Sequence, residues 1–259
     1  MICAVTFENT TLNATRHHRA LVIFARSPVA GESKTRLIPL LGAIGAARFQ
    51  RALALDALSK AGVLQTWLVP YVAFTGRGFC SHRDLAQQIP FFTLLHQRGA
   101  DLGERLARTF RLLLPRHRYV VAIGTDSPEL AVSVVRKAFR RLRSQQAVLG
   151  PCPDGGFYLL GLRRGQASEQ VERLFRRIRW GTRWALGDSL RNITSLGLDC
   201  PLLETIADID RPVDIDHLFG RMSKKRSSRR RAPYTWEFLT AELEIYKQVR
   251  SGRGRRTLS

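Results

Sequence analysis

The chain has 259 residues and 44% hydrophobic content, enough for one α/β domain with an extension and a real buried core. No apolar run reaches the roughly 18–20 residues that a membrane helix needs. No basic start leads into an apolar segment, so neither a transmembrane segment nor a signal peptide is expected, and a cytoplasmic protein is. The formal net charge is +21, and residues 221–259 hold twelve Lys or Arg against three Glu. That excess reads either as a solvated basic surface or as weak attraction to phosphates of a nucleotide, a nucleic acid or an anionic lipid.

Residues 1–19 read as an N-terminal extension. Ala20–Ala25 is the first strand candidate. Leu41–Ala61 reads as a helix, Thr66–Phe74 as a second strand and Phe91–His96 as a third. Asp101–Leu114 is a helix whose Leu102, Leu106, Phe110 and Leu113 form one stripe, with Asp101 and Glu104 spaced as a capping box. Arg118–Ile123 reads as a central strand buried on both faces. Ser127 and Pro128 then suit the cap and first position of a helix carrying Leu130, Val134, Ala138 and Leu142. Ala147–Gly150 and Phe157–Leu162 are further strands. This alternation predicts an α/β sandwich around a largely parallel sheet over residues 20–220. SKKRSSRRRAP, from about residue 221, reads as a basic linker. Trp236, Leu239, Leu243 and Tyr246 then share one face of a terminal helix that would dock on the domain, and the last nine residues read as disordered.

The cysteines stand at 3, 80, 152 and 200 with no CxxC spacing, so neither a zinc site nor a disulfide framework is expected. Open α/β sheets bind ligands beyond the carboxyl ends of their strands, so the residues just past each strand are the candidates for a site. After the first strand comes RSPVAGESKTRL. Pro28 and Gly31 let the backbone turn and approach a ligand, while Lys34 and Arg36 supply cations for a diphosphate. The spacing is not that of a Walker loop. After the central strand, Asp126 in GTDSP either meets a divalent cation, Mg²⁺ or Mn²⁺, or caps the next helix. Asp154, in PCPDGGF, either reaches a hydroxylated substrate, with Gly155 and Gly156 clearing space, or sits in a hairpin turn.

In DIDRPVD, alternation places Asp208 and Asp210 on one side of a short strand, where a shared cation would relieve their repulsion. Pro212 and Asp214 suit the start of a helix. Gly103, in GADLGERL, opens a glycine-rich helix start that could touch an anion. In RWGT, Trp180 could stack on a base or sugar beside Thr182, or could be a core side chain.

Taken in order, ARSPVAGESKTRL, GADLGERL, IGTDSPEL, LGPCPDGGFYLLGL, RWGT and ADIDRPVDIDHL resemble a group of bacterial transferases. These have the GT-A, nucleotide-diphospho-sugar transferase fold, a Rossmann-like α/β/α sandwich. The group is labelled selenodomain-associated or arsenosugar-biosynthesis glycosyltransferase, and is related to the molybdenum-cofactor and phospholactate guanylyltransferases. The resemblance covers about residues 20–220. It implies that Lys34 and Arg36 contact nucleotide phosphates, that Asp126 is the metal-binding aspartate, and that Asp154 lines the acceptor or sugar pocket. Asp208 and Asp210 would supply a second metal ligand. The chain departs from the group in Arg26, where Lys is common, in Arg211, where Thr is usual, and in a DxD pattern reduced to one aspartate.

Three functions are compatible with this pattern. The first is a metal-dependent glycosyltransferase using a nucleotide-diphospho-sugar donor and a small-molecule acceptor, with Asp154 as base. The second is a nucleotidyltransferase joining a nucleoside triphosphate to a phosphorylated or hydroxylated small molecule. The third is a non-catalytic nucleotide- or RNA-binding protein whose basic tail contacts an anionic surface or nucleic acid.

Overall fold

The computed structural model describes residues 16–75, 91–165 and 168–250. Among these residues, six strands form one sheet: β1 (Arg19–Arg26), β2 (Val69–Thr75), β3 (Thr93–His96), β4 (Tyr119–Gly124), β5 (Ala147–Pro151) and β6 (Phe157–Arg163). Their order is β3-β2-β1-β4-β6-β5. β3, β2, β1 and β4 pair in parallel, and of the six only β6 runs against the rest.

Strand periodicity divides the core into two layers. Leu21, Ile23, Val121, Ile123 and Val148 point to one face and meet Ala57, Leu58 and Ala61 of α1 (Ile38–Val63) and Val134, Val135, Ala138 and Phe139 of α3 (Val132–Arg141). Ala20, Val22, Val120, Ala122, Leu149 and Leu160 point to the other. There they meet Leu106, Phe110 and Leu113 of α2 (Leu102–Leu113), Val171 and Leu174 of α4 (Ser168–Leu174), and Ile193 of α5 (Ala185–Ser195). The result is the expected α/β/α sandwich.

A third cluster lies beyond the sheet. Phe49 and Leu53 of α1 pack on Ile215, Leu218 and Met222 of α6 (Pro212–Lys224) and on Leu239 of α8 (Pro233–Arg250). The docking helix expected from Trp236 and Leu239 is therefore present. Leu243, Tyr246 and the last nine residues fall where side chains or backbone lie outside the described residues, as do residues 1–15, with Cys3, and the stretch containing Cys80.

Three local expectations are corrected. The basic stretch after 221 is largely helical: α6 ends in its first residues, at Lys224, and α7 (Arg226–Arg231) covers most of the rest. Arg229 explains this, because it donates to the carbonyls of Met222 and Ser223 at the end of α6 (2.8 and 3.1 Å) and lies over Trp236. The helix expected at Pro128 begins only at Val132, without a side-chain cap. The Ser127 carbonyl is taken by the Leu130 amide and the Pro128 carbonyl by Lys60 Nζ at 2.7 Å, so a turn precedes the helix. Residues 208–210 form no strand; they run as irregular chain across the ends of β5 and β4. The box at Asp101 holds, one residue offset: Asp101 accepts from the Glu104 amide at 2.8 Å, while Glu104 accepts from Ala100 at 3.2 Å.

Asp56 and Lys60 tie α1 to its surroundings. Asp56, 1% exposed, accepts from the amides of Tyr234 and Thr235 at the start of α8 (3.0 and 2.9 Å). Lys60 is 7% exposed, and burial, only partly offset by Asp56, lowers its pKa to about 8. A base whose folded pKa is depressed binds fewer protons when folded, so stability rises with pH between the two values. Relative to Lys60→Met, the wild type should gain on the order of 3 kcal/mol between pH 7 and pH 10.5, measured by urea denaturation of both proteins.

Candidate active site

The loop after β1 is closed by Ser33. Fully buried, it donates to the Ser27 carbonyl at 2.6 Å and accepts from the Val29 amide at 2.9 Å. Gly31 turns the chain at φ 83, with open space around its α-carbon. Lys34 is in the left-handed region, φ 46, unusual for a residue with a β-carbon. From there its side chain runs inward and is 5% exposed.

All three ammonium hydrogens find acceptors. Lys34 Nζ lies 2.8 Å from Asp126 Oδ1, 2.6 Å from Asp210 Oδ1 and 2.7 Å from the Ile209 carbonyl. Burial alone would lower its pKa, but the two carboxylates outweigh burial and raise it. Asp210 is likewise pushed up by burial and brought below its usual value by Lys34, with help from Arg36. Lys34 is thus a buried tie between the end of β4 and the chain entering α6. Arg36 remains 62% exposed, 3.8 Å from Asp210 Oδ2, and is the cation of this loop that faces outward.

Backbone bonds bring the acidic segments together. The Ile209 amide donates to the Asp126 carbonyl at 2.9 Å, and the Ile206 amide to the Pro151 carbonyl at 3.1 Å. The segment before them runs along β5, through Ala147 to Asp199 and Leu203 to Leu149. At the far end Asp214 accepts from the amides of Asp210 and Arg211, with Pro212 in the first turn of α6, as expected. Thr125 Oγ1, which accepts from buried Gln50, steadies Asp126 Oδ1 at 3.3 Å.

Ligand atoms of Cys152, Asp154 and Asp208 all lie within 4.8 Å of one another. Asp208 has no Lys or Arg within ion-pair distance among the described residues. Burial first, then Asp154, Asp210 and Asp126, raises its pKa to about 6. Burial and the charges of Asp208 and Asp154 also hold the Cys152 thiol far above its ordinary value, so it stands there as a neutral S–H. Asp154 is exposed, with one oxygen accepting from the Gly156 amide at 2.8 Å. The carboxylates of Asp154 and Asp208 fit a hard divalent cation, which takes oxygen ligands. A protonated thiol does not.

The turn carrying Asp154 is built against the RWGT segment. The Leu186 amide donates to the Gly155 carbonyl at 2.8 Å. Gly155 has φ 87, and a β-carbon there would be driven into the Arg183 carbonyl. Gly155→Ala should therefore cost about 2 kcal/mol, and Gly31→Ala, with similar φ and open space, only about 1 kcal/mol. Thermal denaturation of the two variants checks the ranking.

Other expected residues lie differently. Gly103 is buried, and a β-carbon on it would meet Trp180 Nε1 at 2.7 Å and the Phe175 carbonyl at 2.8 Å. Its missing side chain makes room for the indole rather than for an anion. Trp180 is half-buried, edge-on to Phe157. Thr182 donates to the Arg179 carbonyl at 2.7 Å and accepts from the Trp184 amide at 3.2 Å, which shapes the turn. Pro28 is half-buried at the start of the Ser33 loop.

Comparison with known proteins agrees with this architecture. A structure from Desulfovibrio desulfuricans G20, provisionally described as a nucleotide-diphospho-sugar transferase, superposes with a TM-score of 0.78 and 26% identity, covering 89% of this chain and 97% of that one. The chain has the nucleotide-diphospho-sugar transferase fold. The 4-diphosphocytidyl-2C-methyl-D-erythritol synthase of Anaerococcus prevotii DSM 20548 shares it at TM-score 0.58 and 10% identity, over 82% of this chain and 99% of that one. Residues 54–182 match the family described as "Uncharacterized protein conserved in bacteria (DUF2064)". No curated protein matches the sequence. Among the described residues, no helix is long and apolar enough to cross a membrane.

On this fold the site sits at the reversal of strand order between β1 and β4, where open α/β sheets bind ligands. The Ser33 staple and the Gln50–Thr125 support carry no spacing signal in the sequence, because a serine and a glutamine bonded to distant backbone or side-chain groups look like any others.

Proposed function

We propose that the chain is a nucleotide-utilising transferase that takes a nucleotide-diphospho-sugar donor, depends on Mg²⁺ or Mn²⁺, and transfers the sugar to a small hydroxylated acceptor. One observation carries this reading. Four carboxylates converge at the strand ends, Lys34 pairs with two of them, and Asp208 and Asp154 are left without a counter-cation among the described residues. The provisional description of the Desulfovibrio structure supports the donor class.

Asp208 and Asp126 would hold the cation, which leaves Asp154 free to act as the base. When bound, the cation would neutralise the negative charge that develops on the departing diphosphate. The chain's own residues do the rest. Arg36, exposed beside Asp210, grips a phosphate oxygen of the donor. Lys34 fixes Asp126 and Asp210 in place through its ion pairs, which preorganises the pocket. Asp154, on an exposed turn with one oxygen tied to the Gly156 amide, takes the proton of the acceptor hydroxyl.

Incubating the protein and Mg²⁺ with labelled nucleotide sugars should release a nucleoside diphosphate. Pyrophosphate released from a labelled nucleoside triphosphate instead would transfer the same residues to nucleotidyl transfer. Turnover of neither set would leave the donor reading without support.

A further inference from the structure

The RWGTRWAL segment carries a second tryptophan. Trp184 is 47% exposed, and two guanidinium groups lie on its ring: Arg183 at 4.6 Å from the centroid and Arg179 at 5.0 Å. The two arginines differ. Arg179 is locked by buried Asp188 through two parallel bonds, Nε to Oδ2 and Nη2 to Oδ1, both 2.8 Å, and Arg191 adds a third at 2.9 Å. Arg183 is exposed and has no carboxylate partner among the described residues. The indole holds it by a cation–π contact.

Arg183 is also fixed with respect to the site. Its carbonyl faces Gly155, and Leu186 bonds that glycine, so Arg183 stands against the turn that carries Asp154. That turn joins β5 to β6, across β4 from the loop of Arg36, which would grip the diphosphate. The carboxylates of Asp208, Asp126 and Asp210 gather near Asp154, with the neutral Cys152 thiol among them. An unneutralised guanidinium carried on the segment that packs against the Asp154 turn suits an acceptor that brings its hydroxyl to Asp154 and a negative group to Arg183.

We infer that Arg183, propped on Trp184, is the acceptor's anion-binding side chain, and that the acceptor carries a phosphate or carboxylate as well as a hydroxyl. This rests on the transferase reading for the word acceptor, but not for the anion site itself. Trp184 is a positioning residue: it sets where Arg183 points.

The test is calorimetric titration of the full chain, in 0.15 M salt, with glucose 6-phosphate, glucuronate and glucose. At least one anionic probe should bind and neutral glucose should not. The better of the two identifies phosphate or carboxylate. Arg183→Ala should weaken that probe about tenfold, the loss of one charge-assisted hydrogen bond. Trp184→Ala should weaken it several-fold and Trp184→Phe should recover it, since phenylalanine keeps a ring face. Arg140→Ala, the same charge change on α3, should have no effect. Equal affinity in wild type and Arg183→Ala, an equal loss in Arg140→Ala, or binding of no probe would overturn the inference. Nucleoside diphosphate binding by the same wild-type protein reports separately on the transferase reading: its absence removes the donor, and the Arg183 result stands or falls alone.

Discussion

Replacing Lys34 with methionine should cost about 3 kcal/mol of stability, reduced from the 3–5 typical of breaking a buried pair because both carboxylates are partly solvated. In a chain of this size that lowers the melting temperature by roughly 10 °C. The loss has several sources. Asp126 and Asp210, 45% and 37% exposed, would face each other with no cation between them, and the Ile209 carbonyl would lose its donor. The left-handed backbone at residue 34, which costs a β-carbon-bearing residue about 1–2 kcal/mol, would relax once nothing anchors the side chain, and that relief keeps the net loss at the lower end.

The pH dependence has a definite sign. The raised pKa of Lys34 means its contribution is complete below the ordinary lysine value and lost only as pH rises through the higher folded value. The lowered pKa of Asp210 means its contribution is present above the ordinary carboxylate value and lost as pH falls through the lower folded value. The gap between wild type and Lys34→Met should therefore be flat from about pH 5 to about pH 10 and close on either side. Adding Asp210→Asn to the variant should recover part of the loss, because the coupling belongs to the pair. A melting temperature unchanged by Lys34→Met would mean that the lysine is not the tie between these strand ends.

Much of the fold was legible because its signals are local and periodic. The run RYVVAI is apolar along VVAI, which only a strand covered on both faces tolerates, and it became β4 at the centre of the sheet. The stripe from Leu102 to Leu113 became α2 on the second face. Misplaced elements were those set by contacts distant in sequence. Nothing near Pro128 announces that Lys60, 68 residues earlier, will take its carbonyl. Nothing in SKKRSSRRR announces that Arg229 will cover the end of one helix while lying on a tryptophan of another.

The candidate site divides in the same way. Strand ends show where carboxylates will gather, and Asp126, Asp154, Asp208 and Asp210 do gather. Which way a long side chain turns is decided by burial. Lys34 has the residue type of a phosphate contact, yet it faces inward, and Arg36 two positions on faces out. Between the two tryptophans of RWGTRWAL, only packing against Gly103 and Phe157 distinguishes the half-buried Trp180 from the exposed Trp184.

Asp208→Asn should separate stability from function more sharply than any other change in this site. In the cation-free protein Asp208 faces Asp154, Asp210 and Asp126 from a partly buried position, and no lysine or arginine among the described residues reaches it. An amide of the same shape removes that repulsion. The variant should be more stable than the wild type without cation, by about 1 kcal/mol after allowing for solvent screening. With Mg²⁺ or Mn²⁺ the order should reverse, because an ion that binds only the folded state stabilises the wild type in proportion to its affinity, and the variant would bind it poorly. Cation-dependent transfer should fall on the order of a thousandfold, about 4 kcal/mol of lost charge stabilisation. Melting curves with and without cation, then turnover of a labelled nucleotide sugar, read both halves. A variant still stabilised by the cation as strongly as the wild type would take Asp208 out of the site. A variant less stable than the wild type without cation would mean that Asp208 is held by a favourable contact rather than opposed by its neighbours. The two expected results together, a more stable apoprotein and a failed enzyme, are what a carboxylate kept for a cation must show, since its repulsion in the empty pocket is the same interaction that draws the ion in.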